Sequence, residues 1–138
     1  MPGILPSVWG NCAWKFLHSI TFDYPEQDPS NEEKQLYKSY FESLAYIIPC
    51  SECRESYAKF IKEKGTELND SVFKNRESLS KWLYNVHNAV NNKLGKATDI
   101  TYADLVKKYE SFRANCESHH CISPDNNKQK KYRLTKLN

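Results

Sequence analysis

Glycine and proline, the residues that most often interrupt regular structure, are scarce here: the 138-residue chain has four glycines and six prolines. An all-β chain of this length, with a tight turn every few residues, would need more of both. The sequence has no run of 18 apolar residues, so no transmembrane helix is predicted. The segment MPGILPSVWG lacks a basic stretch followed by an apolar one, so no signal peptide is predicted. A soluble, mainly helical protein is expected.

Acidic residues are missing from the last thirteen positions, where five basic residues stand: Lys128, Lys130, Lys131, Arg133 and Lys136. The net charge is +3, and without these five residues the chain has 15 basic and 17 acidic residues. A basic tail on a slightly acidic body can bind nucleic acid or an anionic membrane. Such tails are more often solvated and disordered, so nucleic acid is not expected as a partner.

Cysteine is present in an odd number, which argues against a fully paired disulfide framework. The five residues are Cys12, Cys50, Cys53, Cys116 and Cys121. Because no signal peptide is predicted, disulfides here would be catalytic or transient, or would form in an unusual compartment.

Helical spacing of apolar residues recurs along the chain and predicts an all-α bundle of four or five helices. In the first helix the inward stripe is Trp9, Cys12/Ala13, Phe16/Leu17 and Ile20; in the fourth it is Leu79, Trp82/Leu83, Val86, Val90 and Leu94. Ser30 with Glu33 predicts a capping box, and Gly95 predicts a C-cap. The predicted helices cover residues 8–22, 30–48, 50–64, 76–95 and 101–116.

Cys50 and Cys53 stand three positions apart, after Pro49, at the predicted start of a helix. Unpaired N–H groups and the helix dipole stabilise a thiolate there, which suits a redox-active disulfide. The alternative is a structural zinc site completed by the segment CESHHC, which offers Cys116, His119, His120 and Cys121. These two segments alone leave both interpretations open.

A redox disulfide needs an electron acceptor, and an organic cofactor between helices needs aromatic, amide, imidazole and cationic groups. The first and fourth helices carry this set at one-turn spacings. Its members are Trp14, His18, His87, Asn88, Asn91, Lys93 and Lys96.

Three motifs together resemble the ERV/ALR family of FAD-linked sulfhydryl oxidases. They are Gly10-x-x-x-Trp14-x-x-x-His18, the PCSEC segment around Cys50 and Cys53, and HNAVNNKLGK from His87 to Lys96. The order and spacing of the motifs agree with the family, and the resemblance covers roughly residues 7 to 113.

The resemblance implies a four-helix bundle around FAD with a fifth crossing helix, usually in a homodimer. This domain would span residues 1–113, with a C-terminal extension from 114 to 138. The activity would be oxidation of protein dithiols, including thioredoxin-like ones, with O2 reduced to hydrogen peroxide. No metal is implied.

The resemblance also assigns roles to single residues. Cys53 would lie against the flavin ring, and Cys50 would exchange with the donor. The positions expected to bind FAD are Gly10, Trp14, His18, Tyr84, His87, Asn88, Asn91, Lys93, Leu94, Lys96, Lys108 and Tyr109.

The sequence departs from the family pattern in its other cysteines. Cellular members often have a structural disulfide where this chain has Tyr84 and Tyr102, so tyrosine packing is expected in its place. Cys12, within the first motif, is expected to be a buried free thiol, or else to form a dimer or mixed disulfide. Cys116 and Cys121 are expected to form a second, shuttle disulfide that carries electrons from the substrate to Cys50–Cys53.

The compact chain is rich in Tyr, Asn, Lys and Ile and resembles the family members of large DNA viruses. We therefore expect it in the virion or the host cytoplasm, within a viral disulfide pathway. The mitochondrial intermembrane space is the alternative. The competing functions are a zinc-stapled helical interaction module and a nucleic-acid adaptor with a basic tail.

Overall fold

The computed structural model describes residues 3–98, 100–117 and 120–122, and its regular structure is predominantly helical. These residues form five successive α-helices, which confirms the predicted all-α fold. They are α1 (Pro6–Asp23), α2 (Asn31–Ile47), α3 (Ser51–Phe60), α4 (Arg76–Lys93) and α5 (Tyr102–Glu110). No described helix is both long and apolar enough to cross a bilayer.

Local sequence sets where these helices begin and end. Before α2, the Ser30 side chain accepts from the Glu33 N–H while the Glu33 carboxylate accepts from the Ser30 N–H, which is the predicted capping box. Asn75 caps α4 in the same sense, accepting from the Ser78 N–H. After α4, Gly95 has a φ of 66°, a left-handed conformation that suits glycine and ends the helix where the sequence predicts.

The core of the first four helices is a cluster of apolar and aromatic side chains. The α1 helix packs against α4, and α2 packs against α3. Two buried tyrosines direct their hydroxyls to backbone carbonyls, since Tyr24 donates to Phe73 and Tyr57 donates to Phe41. The buried members of the cluster are Tyr24, Phe41, Leu44, Tyr57, Val72, Phe73, Leu79, Trp82, Leu83 and Val86.

The inward face predicted for α1 is partly wrong. Leu17 and Ile20 pack against the core, but Phe16 is 62% exposed and Cys12 is an exposed free thiol rather than a buried one. The residues that α1 buries most deeply are His18, Thr21 and Phe22. The helix is therefore rotated so that a polar position, His18, faces α4.

The segment between α3 and α4 has more structure than its polar sequence predicts. The predicted third helix extends to residue 64, whereas α3 ends at Phe60, before Gly65. A short 3₁₀ helix, Asp70–Phe73, follows and packs against α2 and α4. It buries Val72 and Phe73, which close one side of the core.

Tyr84 and Tyr102 pack together, as the sequence predicts. Their rings lie 5.8 Å apart, and the Tyr102 hydroxyl is 3.0 Å from Ser80 Oγ on α4. The Tyr84 hydroxyl donates to the carbonyl of Ile100 at 2.9 Å. These contacts tie the connection before α5 to α4.

The described residues divide into two compact units between Tyr102 and Ala103. The second unit contains the rest of α5, which ends at Glu110 rather than at the predicted residue 116. It also contains a hairpin of two short antiparallel strands, β1 (Asn115–Glu117) and β2 (His120–Ile122), that the sequence analysis did not predict. The predicted crossing of the fifth helix and the domain boundary at 113/114 stay predictions.

Candidate active site

Cys50 and Cys53 form a disulfide across the first turn of α3. Cys50 is the N-cap residue, and its Sγ accepts from the backbone N–H of Cys53 at 3.2 Å. Both residues are half-buried, so the bond lies at the surface of the bundle. A sulfur at a helix N-terminus faces unpaired N–H groups and the positive end of the dipole, which favour a thiolate when the bond opens.

Arg54, a residue that the sequence analysis did not single out, fixes the backbone segment that leads into this disulfide. Its Nη1 donates to the carbonyl of Ile48 at 2.7 Å, and its backbone N–H donates to the carbonyl of Cys50 at 3.0 Å. The Cys50 N–H donates to the same Ile48 carbonyl at 2.8 Å. The segment from Ile48 to Cys50 is thus fixed from α3. Sequence alone gives no signal for this, because an arginine in a helix usually faces solvent.

Three rings from α1 and α4 form a cluster. The Trp14 and His87 rings are stacked, with centroids 3.8 Å apart and planes 6° from parallel. His18 Nε2 lies 3.0 Å from His87 Nδ1, within hydrogen-bond distance, and His18 is buried. Trp14, His18 and His87 were all predicted to line one site, and the packing of α1 on α4 brings them together.

The surroundings of His87 keep its imidazole uncharged. Burial lowers the pKa of His87, and the positive charge of Lys96 lowers it further, to about 4. Lys96 lies near because its N–H donates to the Asn91 carbonyl at 2.9 Å, which folds the chain back after α4. At neutral pH this histidine therefore offers one donor and one acceptor nitrogen and no charge.

The remaining predicted positions lie in the second half of α4 and just after its end. Asn88 and Asn91 are half-buried, one turn apart, and in reach of a ligand beside His87. Lys93 and Lys96 are exposed at the C-terminal end, and Leu94 is 59% exposed rather than part of the core. Lys93 Nζ contacts Ser56 Oγ, one turn after Cys53 on α3. This contact connects the end of α4 with the helix that carries the disulfide.

Gly10 lies one turn before Trp14 on α1, and apart from its chain neighbours and the surrounding backbone of its own helix no atom would lie within 4 Å of a Cβ placed there. A glycine inside a helix weakens it by about 1 kcal/mol relative to alanine, and protein packing does not require one here. The open space suits the close approach of a ligand. Tyr84 is on α4 but its hydroxyl already bonds Ile100.

Four predicted residues lie in the second unit. Lys108 and Tyr109 are on α5, and Cys116 and Cys121 are opposite each other in the β1–β2 hairpin register. Their roles stay predictions. His119, named in the zinc alternative, lies outside the described residues.

The family model of the Erv1/Alr family matches residues 11–113. This chain belongs to that family. A probable FAD-linked sulfhydryl oxidase, R368, of Acanthamoeba polyphaga mimivirus is 36% identical over 105 residues, which cover 76% of this chain and 71% of the relative. The mitochondrial FAD-linked sulfhydryl oxidase ERV1 of Saccharomyces cerevisiae is 33% identical over 87 residues, 63% of this chain and 43% of the relative.

Solved structures of yeast Erv1 have the same fold. The Erv1 core matches with a TM-score of 0.66 and 27% identity, covering 80% of this chain and 87% of the other. The FAD binding domain of Erv1 matches with a TM-score of 0.67 and 28% identity, covering 78% and 95%. The comparisons confirm the resemblance on which the expectation of a thiol oxidase rests.

The residues present fit FAD. Stacked Trp14 and His87 provide flat surfaces for an aromatic ring, the amides of Asn88 and Asn91 provide directional hydrogen bonds, and two lysines provide charge for phosphates. A zinc site fits poorly, since the disulfide between Cys50 and Cys53 leaves neither as a thiolate ligand. Within the described part of the chain, no three His, Cys, Asp or Glu side chains are grouped to hold a metal.

Proposed function

We propose that this chain is an FAD-linked sulfhydryl oxidase that forms disulfides in dithiol proteins and passes the electrons to O2, giving hydrogen peroxide. The observation that carries the proposal is the Cys50–Cys53 disulfide at the N-terminus of α3, on a bundle that also holds the Trp14–His18–His87 cluster. The named relatives support the enzyme class.

The first step is thiol–disulfide exchange at Cys50. A donor thiolate forms a bond with Cys50 Sγ, the Cys50–Cys53 bond breaks, and Cys53 leaves as a thiolate at the N-terminus of α3. The donor's second thiolate then attacks the donor sulfur in this mixed disulfide and releases Cys50. The donor dithiol loses two electrons, which the cysteine pair gains, and two protons, which pass to the pair or to water. The N–H groups of α3 lower the free energy of the thiolate that forms.

The chain would hold FAD with Gly10, Trp14 and His18 of α1, and with His87, Asn88, Asn91, Lys93, Leu94 and Lys96 at the end of α4. When bound, FAD supplies a two-electron acceptor for the reduced pair and a donor to O2, which side chains alone lack. Neutral His87 would bind through Nε2 and the ring face that does not stack on Trp14, because its Nδ1 already faces His18. Lys93 and Lys96 would neutralise phosphate charge.

The absorption spectrum of the purified protein tests the cofactor first. We expect flavin bands near roughly 450 nm. Cys50→Ser and Cys53→Ser should retain these bands yet lose oxygen consumption with dithiothreitol by at least about 100-fold, because no disulfide remains to exchange. Ser51→Ala, which changes one of the two residues between the cysteines, is the matched control and should stay within about twofold.

A colourless protein that contains stoichiometric zinc would contradict the proposal and favour the alternative function, a zinc-stapled helical interaction module. Full oxidase activity in Cys53→Ser would contradict the assigned reaction path even if flavin is bound.

The hairpin is proposed as the shuttle that brings electrons to Cys50–Cys53. Its backbone register pairs Cys116 with Cys121. Directly opposed residues of antiparallel strands have Cα atoms about 4.5–5.5 Å apart, within the roughly 4.4–6.8 Å range of disulfides. Replacing both cysteines by serine should lower oxidation of reduced thioredoxin about tenfold or more and leave dithiothreitol turnover unchanged, because a small dithiol reaches Cys50 directly. Equal loss on both donors would rule out the shuttle.

The active form is proposed to be a homodimer. Val8, Cys12 and Phe16 succeed one another at four-residue spacing on α1, on the side away from the buried His18 and Thr21. Val8 is 70% exposed and Phe16 62% exposed, so this face lacks a partner within the described chain. A second copy would cover it.

The proposed location is the virion or the host cytoplasm. Its support is the relatives from mimivirus and from invertebrate iridescent virus 3, whereas the mitochondrial yeast relative supports the alternative. Detection of the protein in purified virus particles would distinguish the two locations, and its confinement to mitochondria would contradict the proposal.

A further inference from the structure

The N-terminal strap, residues Gly3 to Leu5, lies directly on the segment that leads into the catalytic disulfide. The Ile4 N–H donates to the Pro49 carbonyl at 2.7 Å. The Ile4 carbonyl accepts from Trp9 Nε1 at 3.0 Å, so both backbone groups of this residue are bonded. The strap is therefore fixed at one end to α1 and in its middle to the residue before Cys50.

Gly3 is required for this close approach. A Cβ at this position would lie 2.4 Å from the Pro49 carbonyl oxygen and 2.9 Å from the Cys50 Cα. Both obstacles are backbone atoms, which no rotamer change removes. The strap thus reaches van der Waals contact with the backbone of the sulfur-bearing residue itself.

The disulfide does not depend on the strap for its position. The Ile48 carbonyl is bonded by Arg54 Nη1 and by the Cys50 N–H, the Cys50 carbonyl is bonded by the Arg54 N–H, and Cys50 Sγ is bonded by the Cys53 N–H. All of these donors belong to α3 or to its N-cap. The bond from Ile4 to the Pro49 carbonyl therefore fixes the strap and not the disulfide. Positioning the disulfide does not account for the strap.

The strap exposes apolar side chains beside Cys50. Ile4 is 56% exposed and Leu5 is 68% exposed. On the chain that enters Pro49 from α2, Tyr46 is 82% exposed and Ile47 is 62% exposed. Four large exposed apolar side chains therefore stand on the two segments that meet at Pro49, more than the scattered single exposures that are normal on a protein surface.

The strap lies within reach of a donor bonded to Cys50. In a mixed disulfide the two cysteine Cα atoms are about 4.4–6.8 Å apart. Since a Cβ at Gly3 would lie 2.9 Å from the Cys50 Cα, residues that flank a donor cysteine come within contact distance of the strap when the donor approaches from this side. A small dithiol such as dithiothreitol has no such residues and makes no such contact.

We propose that the N-terminal strap is a specificity element that binds an extended segment of the donor polypeptide with apolar side chains beside its cysteines. This inference rests on the proposed function, because it requires Cys50 to be the sulfur that exchanges. The occupant is a donor polypeptide that reacts at Cys50 directly, as dithiothreitol does, rather than one that passes its electrons through Cys116 and Cys121. It is not a second copy, since the strap adjoins the reactive sulfur.

The test compares three donors on the flavin-loaded protein: dithiothreitol and two synthetic peptides of equal length and charge that contain two cysteines. One peptide has leucine and phenylalanine beside the cysteines, and the other has serine and glutamine. The wild type should oxidise the apolar peptide with a kcat/KM about tenfold higher. In Ile4→Ser/Leu5→Ser this advantage should fall to about twofold, mainly through KM, with dithiothreitol turnover unchanged.

Leu36→Ser is the matched control. Leu36 is 63% exposed, but it lies twelve residues before Ile48 on α2, about 18 Å along the helix. This variant should keep the full preference for the apolar peptide. Gly3→Ala tests the strap independently: it keeps Ile4 and Leu5 but displaces them, so it too should lose the preference and retain dithiothreitol turnover.

Three results would overturn the inference. They are a full preference for the apolar peptide in Ile4→Ser/Leu5→Ser, an equal loss on dithiothreitol and both peptides, and conversion of a dimer to a monomer by these substitutions. A wild-type protein that oxidises none of the three donors would instead refute the proposed function, and the inference with it.

Discussion

At the scale of single residues, His87 shows how packing changes the chemistry of a side chain. Its ring stacks on Trp14 and approaches His18, and its pKa falls from 6.5 to about 4 because burial and Lys96 both disfavour the imidazolium. A charged His87 would repel the lysines that we assign to phosphate binding. The neutral ring suits a pocket for a flat aromatic group.

This pKa shift makes stability depend on pH in a defined direction. Between about pH 6.5 and pH 4 the unfolded chain binds more protons at this position than the folded chain. The free energy of unfolding should therefore be level above pH 6.5 and fall as the pH drops towards 4. Because the ring is partly exposed, we expect a loss of about 1 kcal/mol between about pH 7 and about pH 5, less than full linkage would give.

Urea unfolding of the flavin-free protein at the two pH values measures this loss, and His87→Gln is the control. Other carboxylates and histidines titrate in both proteins, so the quantity of interest is the difference between them. An equal pH dependence in wild type and variant would show that His87 is not the cause.

At the scale of elements, sequence predicted the existence and order of the helices and most of their ends. Ser30, Glu33 and Gly95 act locally, so their capping roles follow from the letters alone. The buried face of α1 could not be predicted from the sequence, because apolar residues lie on two sides of this helix and either side could pack against the core. Phe16 is apolar yet exposed, and His18 is polar yet buried, since it pairs with a ring on α4.

The disulfide and its neighbourhood were also predicted only in part. The sequence motifs single out Cys50, Cys53, Trp14, His18 and His87. The structure joins the two cysteines in a disulfide and brings the three rings together, while their catalytic and FAD-binding roles stay predictions. Arg54, Ser56 and the strap were not predicted. Their roles depend on contacts between distant backbone segments, such as the bond from Ile4 to Pro49, and no local pattern encodes these.

At the scale of the whole molecule, the exposed face of α1 predicts self-association. Phe16→Asp would place a charge in the proposed subunit interface and should raise the dimer dissociation constant by about 100-fold. Sedimentation velocity over a range of concentrations measures this. Leu36→Asp, at a similarly exposed leucine on α2, is the control and should leave the constant within about threefold.

A monomeric wild-type protein at high concentration would contradict the homodimer. A Phe16→Asp variant that remains dimeric would place the interface on another face of the bundle.

The start of α3 has a second consequence for the enzyme. Glu52 stands in the first turn, between the two cysteines, where a negative charge stabilises a helix by interacting with its dipole. The same charge repels a thiolate at Cys50 or Cys53 and so disfavours the reduced pair. At this position helix stability and oxidising strength rise together. A neutral residue at position 52 would lower both the stability of the helix and the oxidising strength of the Cys50–Cys53 disulfide. A natural or designed substitution there therefore changes the two properties together.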